Sequence, residues 1–137
     1  MYVLGVQPVA GYPPPGTRVS VPIIFGYRHK GIVSDRWQGG KPMVISGSAR
    51  AGQVCEEPWD AFADGKQVQN NGYPSRLPVW EVLRRARALI GTRYHLFDFN
   101  CDHVVAVAHG LKSESPQVAL TLAATAILVA LLAARAA

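Results

Sequence analysis

The stretch Asp98-Phe-Asn-Cys-Asp-His-Val-Val105 places a thiol between small polar residues at the predicted start of a helix. Asn100, or Asp98 two residues earlier, is suited to cap the first backbone N–H groups. Apolar residues after the thiol would give this helix a buried face, and Gly110 would end it. The start of a helix favours negative charge, so we expect a lowered pKa for Cys101 and predict that its thiol is a nucleophile.

The size and charge of the chain narrow its function. The 137 residues fit one domain with a modest core and a short appendage. A formal charge of +5, from 14 Lys and Arg against 9 Asp and Glu, is compatible with an anionic membrane surface. Only 9% of residues are aromatic, and they do not alternate with basic ones, so we expect no nucleic-acid partner.

The two cysteines, Cys55 and Cys101, are too few for a disulfide scaffold. A single bridge between them is the alternative if the protein works in an oxidising compartment. The first residues lack a basic segment, and prolines at 8 and 13–15 interrupt any apolar run, so no secretory signal is expected. We therefore expect the folded part to be cytosolic, with free thiols.

The first half of the chain is predicted to be an antiparallel β-meander, because β-branched residues alternate between Gly- and Pro-rich turns. The predicted strands are residues 17–25, 26–33 and 42–47, with a further short strand at 66–69. Residues 34–41 are predicted as a turn and residues 48–57 as a loop. One helical turn is expected over 58–63, closed by Asp64 and Gly65.

A clear amphipathic helix is predicted from Pro78 to Ile90, with Gly91 as its C-cap. Arg84, Arg85 and Arg87 lie mostly on its polar side. These arginines either form a solvated basic face or contact lipid headgroups.

The C-terminal part is strongly apolar. Residues 113–117 read as a linker, and residues 118–134 carry no charge. A membrane-spanning helix needs about 20 apolar residues, with about 17 as the lower limit. We therefore predict that residues 118–137 form a C-terminal membrane anchor; the alternative is a hydrophobic helix buried in the domain or in an oligomer. Residues 1–12 are expected to be an N-terminal arm, and residues 13–112 the domain.

A cysteine nucleophile usually needs a histidine within hydrogen-bond reach and a third polar group to orient it. His29 lies in a predicted strand between glycines at 26 and 31, which leave room for another element or a substrate. His103 is two residues from Cys101 on one helix, so the two side chains diverge. His109 lies at the C-terminal end of that helix, where the dipole would favour its charged form.

Metal and cofactor sites are not indicated by the sequence. Two cysteines and four histidines fall in no recognised ligand spacing. No glycine pattern for binding phosphate is present either. We expect neither a metal nor a cofactor.

Five segments in order resemble the lecithin:retinol acyltransferase-like (LRAT-like) domain, a circularly permuted relative of the NlpC/P60 papain-type enzymes. The segments are Pro15-Gly-Thr-Arg-Val19, Tyr27-Arg-His-Lys-Gly-Ile-Val33, Val44-Ile-Ser-Gly-Ser48, Trp59-Asp-Ala-Phe-Ala-Asp-Gly-Lys-Gln-Val68 and Phe99-Asn-Cys-Asp-His-Val-Val105. The resemblance covers roughly residues 13–117. A hydrophobic tail after the domain also recurs in that family, as in the small H-rev107-type phospholipases and acyltransferases.

The resemblance implies an α+β, circularly permuted papain-like fold: an antiparallel meander packed on helices, with the nucleophile at a helix N-terminus. It further implies that Cys101 forms a thioester with an acyl group and that His29 is the general base. The third polar residue, commonly a histidine on the next strand, falls near Ser46. A serine carries no charge to stabilise the imidazolium, so Ser46, or Ser48 in its place, is a departure from the family.

Three functions remain open from the sequence. The first is a membrane-anchored thiol acyl hydrolase or acyltransferase that takes phospholipid or another lipid acyl ester as substrate. The second is a cysteine peptidase or amidase, as in other NlpC/P60 relatives. The third is a non-catalytic, membrane-tethered binding module whose catalytic residues have decayed, an alternative that Ser46 keeps open.

Overall fold

The computed structural model describes residues 11–23, 26–48, 50–93, 101–112 and 126–135. These residues form an α+β fold with one antiparallel sheet and four helices. The strands are β1 (Arg18–Pro22), β2 (Arg28–Gln38), β3 (Lys41–Ser48), β4 (Gln53–Glu57) and β5 (Gln69–Gly72). The helices are α1 (Trp59–Ala63), α2 (Val79–Ala88), α3 (Cys101–Ala108) and α4 (126–135). Residues 1–10 of the predicted N-terminal arm (1–12), the predicted linker and the predicted caps Asp98 and Asn100 lie outside the described residues.

The five strands are arranged in the order β4-β3-β2-β1-β5, and every neighbouring pair is antiparallel. Strands β1 to β4 follow one another in space as they do in sequence. The predicted three-strand meander is therefore confirmed, and its second and third strands pair with Gly31 opposite Ser46. This register places the strand that carries the predicted base beside the strand that carries Ser46.

Apolar residues fill both sides of the sheet, because alternate residues of a strand point to opposite faces. On one side, Ile32, Ile45 and Val54 pack against helices α2 and α3. On the other side, Val33 and Val44, with two valines of β1, pack against Phe62 of α1. The central strands are thus covered on both faces where Ile32-Val33 pairs with Val44-Ile45, which explains why each strand has consecutive rather than alternating apolar residues there.

Three predictions about the strands differ from the structure. Residues 34–41 were expected to be a turn, but β2 continues to Gln38 and only Gly39 and Gly40, with φ of 62° and 76°, make the turn. Residues 48–57 were expected to be a loop, but Gln53–Glu57 form β4 at the edge of the sheet. The short strand expected at 66–69 is displaced to Gln69–Gly72.

A polar network explains the extension of β2 beyond its apolar part. Arg87 of α2 donates to Ser34, Asp35 and Glu56, at 3.0, 2.5 and 3.2 Å. Ser34 also hydrogen-bonds Glu56 of β4. Burial would lower the pKa of Arg87, but hydrogen bonds to the two carboxylates raise it above its usual value. The positive charge of Arg87 is therefore paired with Asp35 and Glu56 within the fold.

Helix α1 ends as its sequence predicts, whereas helix α2 ends earlier than predicted. Helix α1 ends at Ala63, and Asp64 adopts the left-handed conformation with φ of 49°, as the predicted Asp-Gly stop requires. Helix α2 ends at Ala88 with Leu89 as its cap, so Gly91 is not the cap that was predicted. Gly91 instead donates its N–H to the carbonyl of Val54 at 2.9 Å and ties the end of α2 to β4.

Helix α4 contacts little of the remaining described chain, since each of its residues is exposed. Among its side chains Ile127, Leu128, Val129, Leu131 and Leu132 are between 55% and 62% exposed. Within the part of the chain that the structure describes, no helix is both long and apolar enough to span a membrane. Residues 113–125, which include the first part of the predicted anchor, lie outside that part.

Candidate functional site

The site begins at His29, the second residue of β2. Its side chain lies on the α1 side of the sheet, where the imidazole stacks on the ring of Phe62 with 4.8 Å between the ring centroids. Gly31 makes this approach possible. A Cβ atom at Gly31 would lie 3.1 Å from Cε2 of Phe62 and 2.5 Å from Cγ1 of Val44. Phe62 of helix α1 thus occupies the space that was predicted beside Gly31.

Two polar side chains meet the imidazole from the neighbouring strands. The hydroxyl of Ser46 on β3 lies 3.4 Å from Nε2 of His29. The same hydroxyl donates to Oε1 of Glu57 on β4 at 3.1 Å. Oε1 itself lies 3.7 Å from Nε2 of His29. Ser46 therefore lies next to His29, the predicted base, and its hydroxyl also contacts the carboxylate of Glu57.

Glu57 is a site residue that the sequence analysis missed. It was assigned to a loop, because Glu56-Glu57-Pro58 has the polar composition of a surface segment. Its side chain is only 13% exposed. Burial would raise the pKa of Glu57, but its interactions with His29 and Ser46 lower it below its usual range. The carboxylate is therefore ionised at neutral pH.

Cys101 is the first described residue of α3, since residues 94–100 lie outside the described part of the chain, and it is 5% exposed. Asp102 forms an ion pair with Lys30 of β2, which fixes the start of α3 against that strand. The thiol donates its single proton to the backbone carbonyl of Arg28 at 3.6 Å, next to His29 in the chain. The helix start is thus held beside the first residues of β2.

The lowered pKa expected for Cys101 is not what the structure gives. Burial raises its pKa above the usual value, and the charge of Asp102 adds to this effect, although a backbone hydrogen bond at Lys30 opposes it. Desolvation is the largest effect on the pKa of this nearly buried thiol and outweighs the effect of the helix start. In this conformation Cys101 is a neutral thiol.

Cys101 and His29 line the same cavity, which has a volume of about 300 Å³. Apolar side chains from β1 and α1 form part of its wall, and two cationic side chains, Arg50 and Lys66, also line it. The cavity residues are Val21, Ile23, His29, Ser48, Arg50, Ala61, Phe62, Asp64, Lys66 and Cys101. The structure thus places a thiol and an imidazole at one cavity, and the polar partners of that imidazole, Ser46 and Glu57, lie behind it within the sheet. A thiol and an imidazole that share a cavity are groups able to perform acyl transfer.

The second cysteine and the other histidines have different surroundings. Cys55 lies on β4 opposite Ser46, both cysteines are free thiols, and burial followed by the charge of Glu57 raises the pKa of Cys55. His109 hydrogen-bonds Ser75 at 2.6 Å and the carbonyl of Gly16 at 2.8 Å. Burial lowers the pKa of His109, so the expectation that the helix dipole keeps it charged is wrong.

Among the described residues, no group of three or more His, Cys, Asp or Glu side chains is arranged to hold a metal ion. The arginines of α2 form ion pairs within the chain: Arg84 and Arg85 with Glu81, and Arg87 with Asp35 and Glu56.

No protein-family model matches the chain, and no curated protein matches it.

Proposed function

We propose that the protein is a membrane-anchored thiol acyl hydrolase or acyltransferase that acts on lipid acyl esters, built on a circularly permuted papain-like fold. One observation carries the proposal: Cys101 and His29 line one cavity, and Ser46 and Glu57 lie 3.4 and 3.7 Å from Nε2 of the imidazole. A thiol at a helix start, a base on a strand and a polar partner for that base are the parts that thiol acyl transfer requires.

The chemistry follows from the neutral state of the thiol. His29 takes the thiol proton as Cys101 attacks the ester carbonyl, so the sulfur–carbon bond forms while the imidazole becomes charged. The leaving alkoxide then takes that proton as the carbon–oxygen bond breaks, which leaves a thioester on Cys101. Water or a second acceptor attacks the thioester with His29 again as base. Backbone N–H groups at the start of α3 are the donors suited to the oxyanion.

The cavity wall supports an acyl ester with an anionic part. Val21, Ile23 and Phe62 offer apolar surface for an acyl chain, and Arg50 and Lys66 supply positive charge at the same opening. Asp64 also lines the cavity, so the cationic side chains are partly offset.

The membrane anchor rests on the apolar tail. The described part of that tail, helix α4, exposes five large apolar side chains to solvent, which favours an apolar environment outside this domain. An anchor at residues 118–137 would confine the enzyme to the bilayer that holds its substrate. The folded domain would then face the cytosol.

Turnover measured on phosphatidylcholine vesicles tests the proposal. Cys101→Ser and His29→Gln should each reduce release of fatty acid or transfer of the acyl chain at least about 100-fold, within the usual range for general-base removal. Cys55→Ser is the matched control and should retain activity. Thermal melts of all variants should stay close to that of the wild type. Equal activity of the wild type and Cys101→Ser would refute the proposal.

The burial of Cys101 favours a second candidate, a non-catalytic membrane-tethered binding module. The thiol is 5% exposed, donates to Arg28 and has a raised pKa, all of which reduce its reactivity. Alkylation by iodoacetamide separates the two functions. An inert Cys101 in the folded wild type, together with no turnover of esters or amides, would support the binding module.

A further inference from the structure

The hydrogen bonds around Ser46 determine which nitrogen of His29 carries the proton in the neutral ring. A hydroxyl has one proton, and that of Ser46 goes to Oε1 of Glu57 at 3.1 Å. The contact of 3.4 Å between Ser46 and Nε2 of His29 then requires Nε2–H as the donor. The lone pair is left on Nδ1, so Nδ1 is the ring nitrogen that can act as a base toward the cavity that His29 shares with Cys101.

We propose that Glu57 is the positioning residue of His29, holding the Nε2–H tautomer through Ser46 and stabilising the imidazolium by its charge at 3.7 Å. This inference rests on the proposed function for its catalytic consequence. The proton stays on the imidazole throughout, and Glu57 remains ionised. Glu57 thereby supplies the negative charge that a serine at position 46 lacks.

The burial of this pair gives the charge its effect. Ser46 is fully buried, and the side chains of Glu57 and His29 are 13% and 20% exposed. Water therefore screens the two less than it would on an open surface. Ser46 lies between β2 and β4 in the sheet, so its hydroxyl reaches both the imidazole and the carboxylate.

The other groups around His29 do not supply the same interaction. Phe62 of α1 covers the ring with an apolar face. Arg50 and Lys66 line the cavity and would oppose a charged imidazole, and Asp64 lines it as well. Cys101 of α3 shares the cavity, and Cys55 lies on β4 opposite Ser46. Within the described chain Glu57 is the carboxylate that contacts the imidazole.

Two measurements on the full-length chain test this role. Long-range ¹⁵N–¹H spectra of His29 at high pH report which ring nitrogen is protonated, and steady-state kinetics on phosphatidylcholine vesicles separate kcat from KM. The variants are Glu57→Gln, which removes the charge at constant shape, and Glu57→Asp, which keeps it. Asp60→Asn is the control, because this nearby carboxylate pairs with Lys41 and its side chain is 73% exposed.

We expect the wild type to show the Nε2–H tautomer and Glu57→Gln to show a mixture of both tautomers. The kcat of Glu57→Gln should fall about 10- to 100-fold, as for partners that orient a functional histidine, with KM changed less than about 2-fold. Glu57→Asp should recover part of the kcat, and Asp60→Asn should match the wild type in both measurements.

The inference is overturned if the wild type holds the Nδ1–H tautomer, if Glu57→Gln leaves the tautomer unchanged, or if Asp60→Asn lowers kcat as much as Glu57→Gln. If Glu57→Gln does not fold, the spectra of the wild type and Glu57→Asp decide by the same criterion. A wild type that holds the Nε2–H tautomer but has no turnover would refute the proposed function and leave the positioning of His29 intact.

Discussion

The substitution Gly31→Ala tests how closely β3 and α1 pack against β2 beside His29. An added Cβ atom would lie 2.5 Å from Cγ1 of Val44, 3.0 Å from the carbonyl oxygen of Ile45 and 3.1 Å from Cε2 of Phe62. Val44 can yield only by displacing buried neighbours, and the Ile45 carbonyl belongs to a strand paired on both sides. The substitution therefore overfills a site that cannot expand freely.

The expected cost can be set from these contacts. Overfilling a packed core costs about 1–3 kcal/mol, and replacing a glycine recovers about 0.4–1 kcal/mol by restricting the unfolded chain. We expect a net loss of about 1.3 kcal/mol in the free energy of unfolding. For a domain of about 100 residues that corresponds to a fall of about 5–10 °C in Tm.

Urea titration and thermal melts of the wild type, Gly31→Ala, Val44→Ala and the double variant measure this loss and its cause. If Val44 is the main obstacle, the double variant should be more stable than the sum of the single effects predicts, by at least about 0.5 kcal/mol. A Gly31→Ala protein as stable as the wild type, or fully additive effects, would refute the packing described here.

Three further predictions concern other parts of the chain. Lys30→Met should lower the free energy of unfolding by about 3 kcal/mol, and Asp102→Asn by less, because the first breaks the ion pair while the buried carboxylate keeps its charge and the second removes that charge; equal losses in urea titrations would contradict this. Burial, with Arg18, lowers the pKa of His109, so its neutral form stabilises the fold above the unfolded pKa of about 6.5, and this stability is lost as the pH falls. Urea midpoints at pH 8 and pH 5 should therefore differ less in His109→Gln than in the wild type, and an equal difference would exclude this role. Deletion of residues 118–137 should leave Tm within about 2 °C of the wild type, because loss of the exposed α4 removes few packing contacts. The same deletion should abolish binding to vesicles. Aggregation of the shortened chain would instead indicate that the tail packs in a hydrophobic core.

The meander could be predicted from sequence because its signals are local. Alternation of β-branched residues and the glycine pair at 39 and 40 specify β1 to β3 within a few residues. Strand β4 could not be predicted in this way, since Gln53-Val-Cys-Glu-Glu57 has only one fully buried apolar residue, Val54. Its place in the sheet depends on pairing with β3 and on the polar contacts of Glu56 and Glu57, which connect residues distant in sequence.

The candidate site likewise contains residues that can be predicted from local sequence and residues that cannot. The positions of Cys101 and His29 follow from a helix start and a strand, both of which can be recognised locally. The role of Glu57 depends on contacts with residues 11 and 28 positions away. The neutral thiol was missed for a related reason: local sequence indicates the helix dipole but not the burial that raises the pKa of Cys101.

The most direct measurement of the central claim is the mass of Cys101 after contact with an acyl ester. The full-length protein is mixed with phosphatidylcholine vesicles and quenched in acid, and intact-mass and peptide mass spectrometry then locate any added acyl group. Thiol acyl transfer predicts an acyl adduct on Cys101 that is absent from Cys101→Ser and retained in Cys55→Ser. A folded wild type that turns over the lipid without an adduct on Cys101, or one that carries the acyl group on Cys55, would contradict the account.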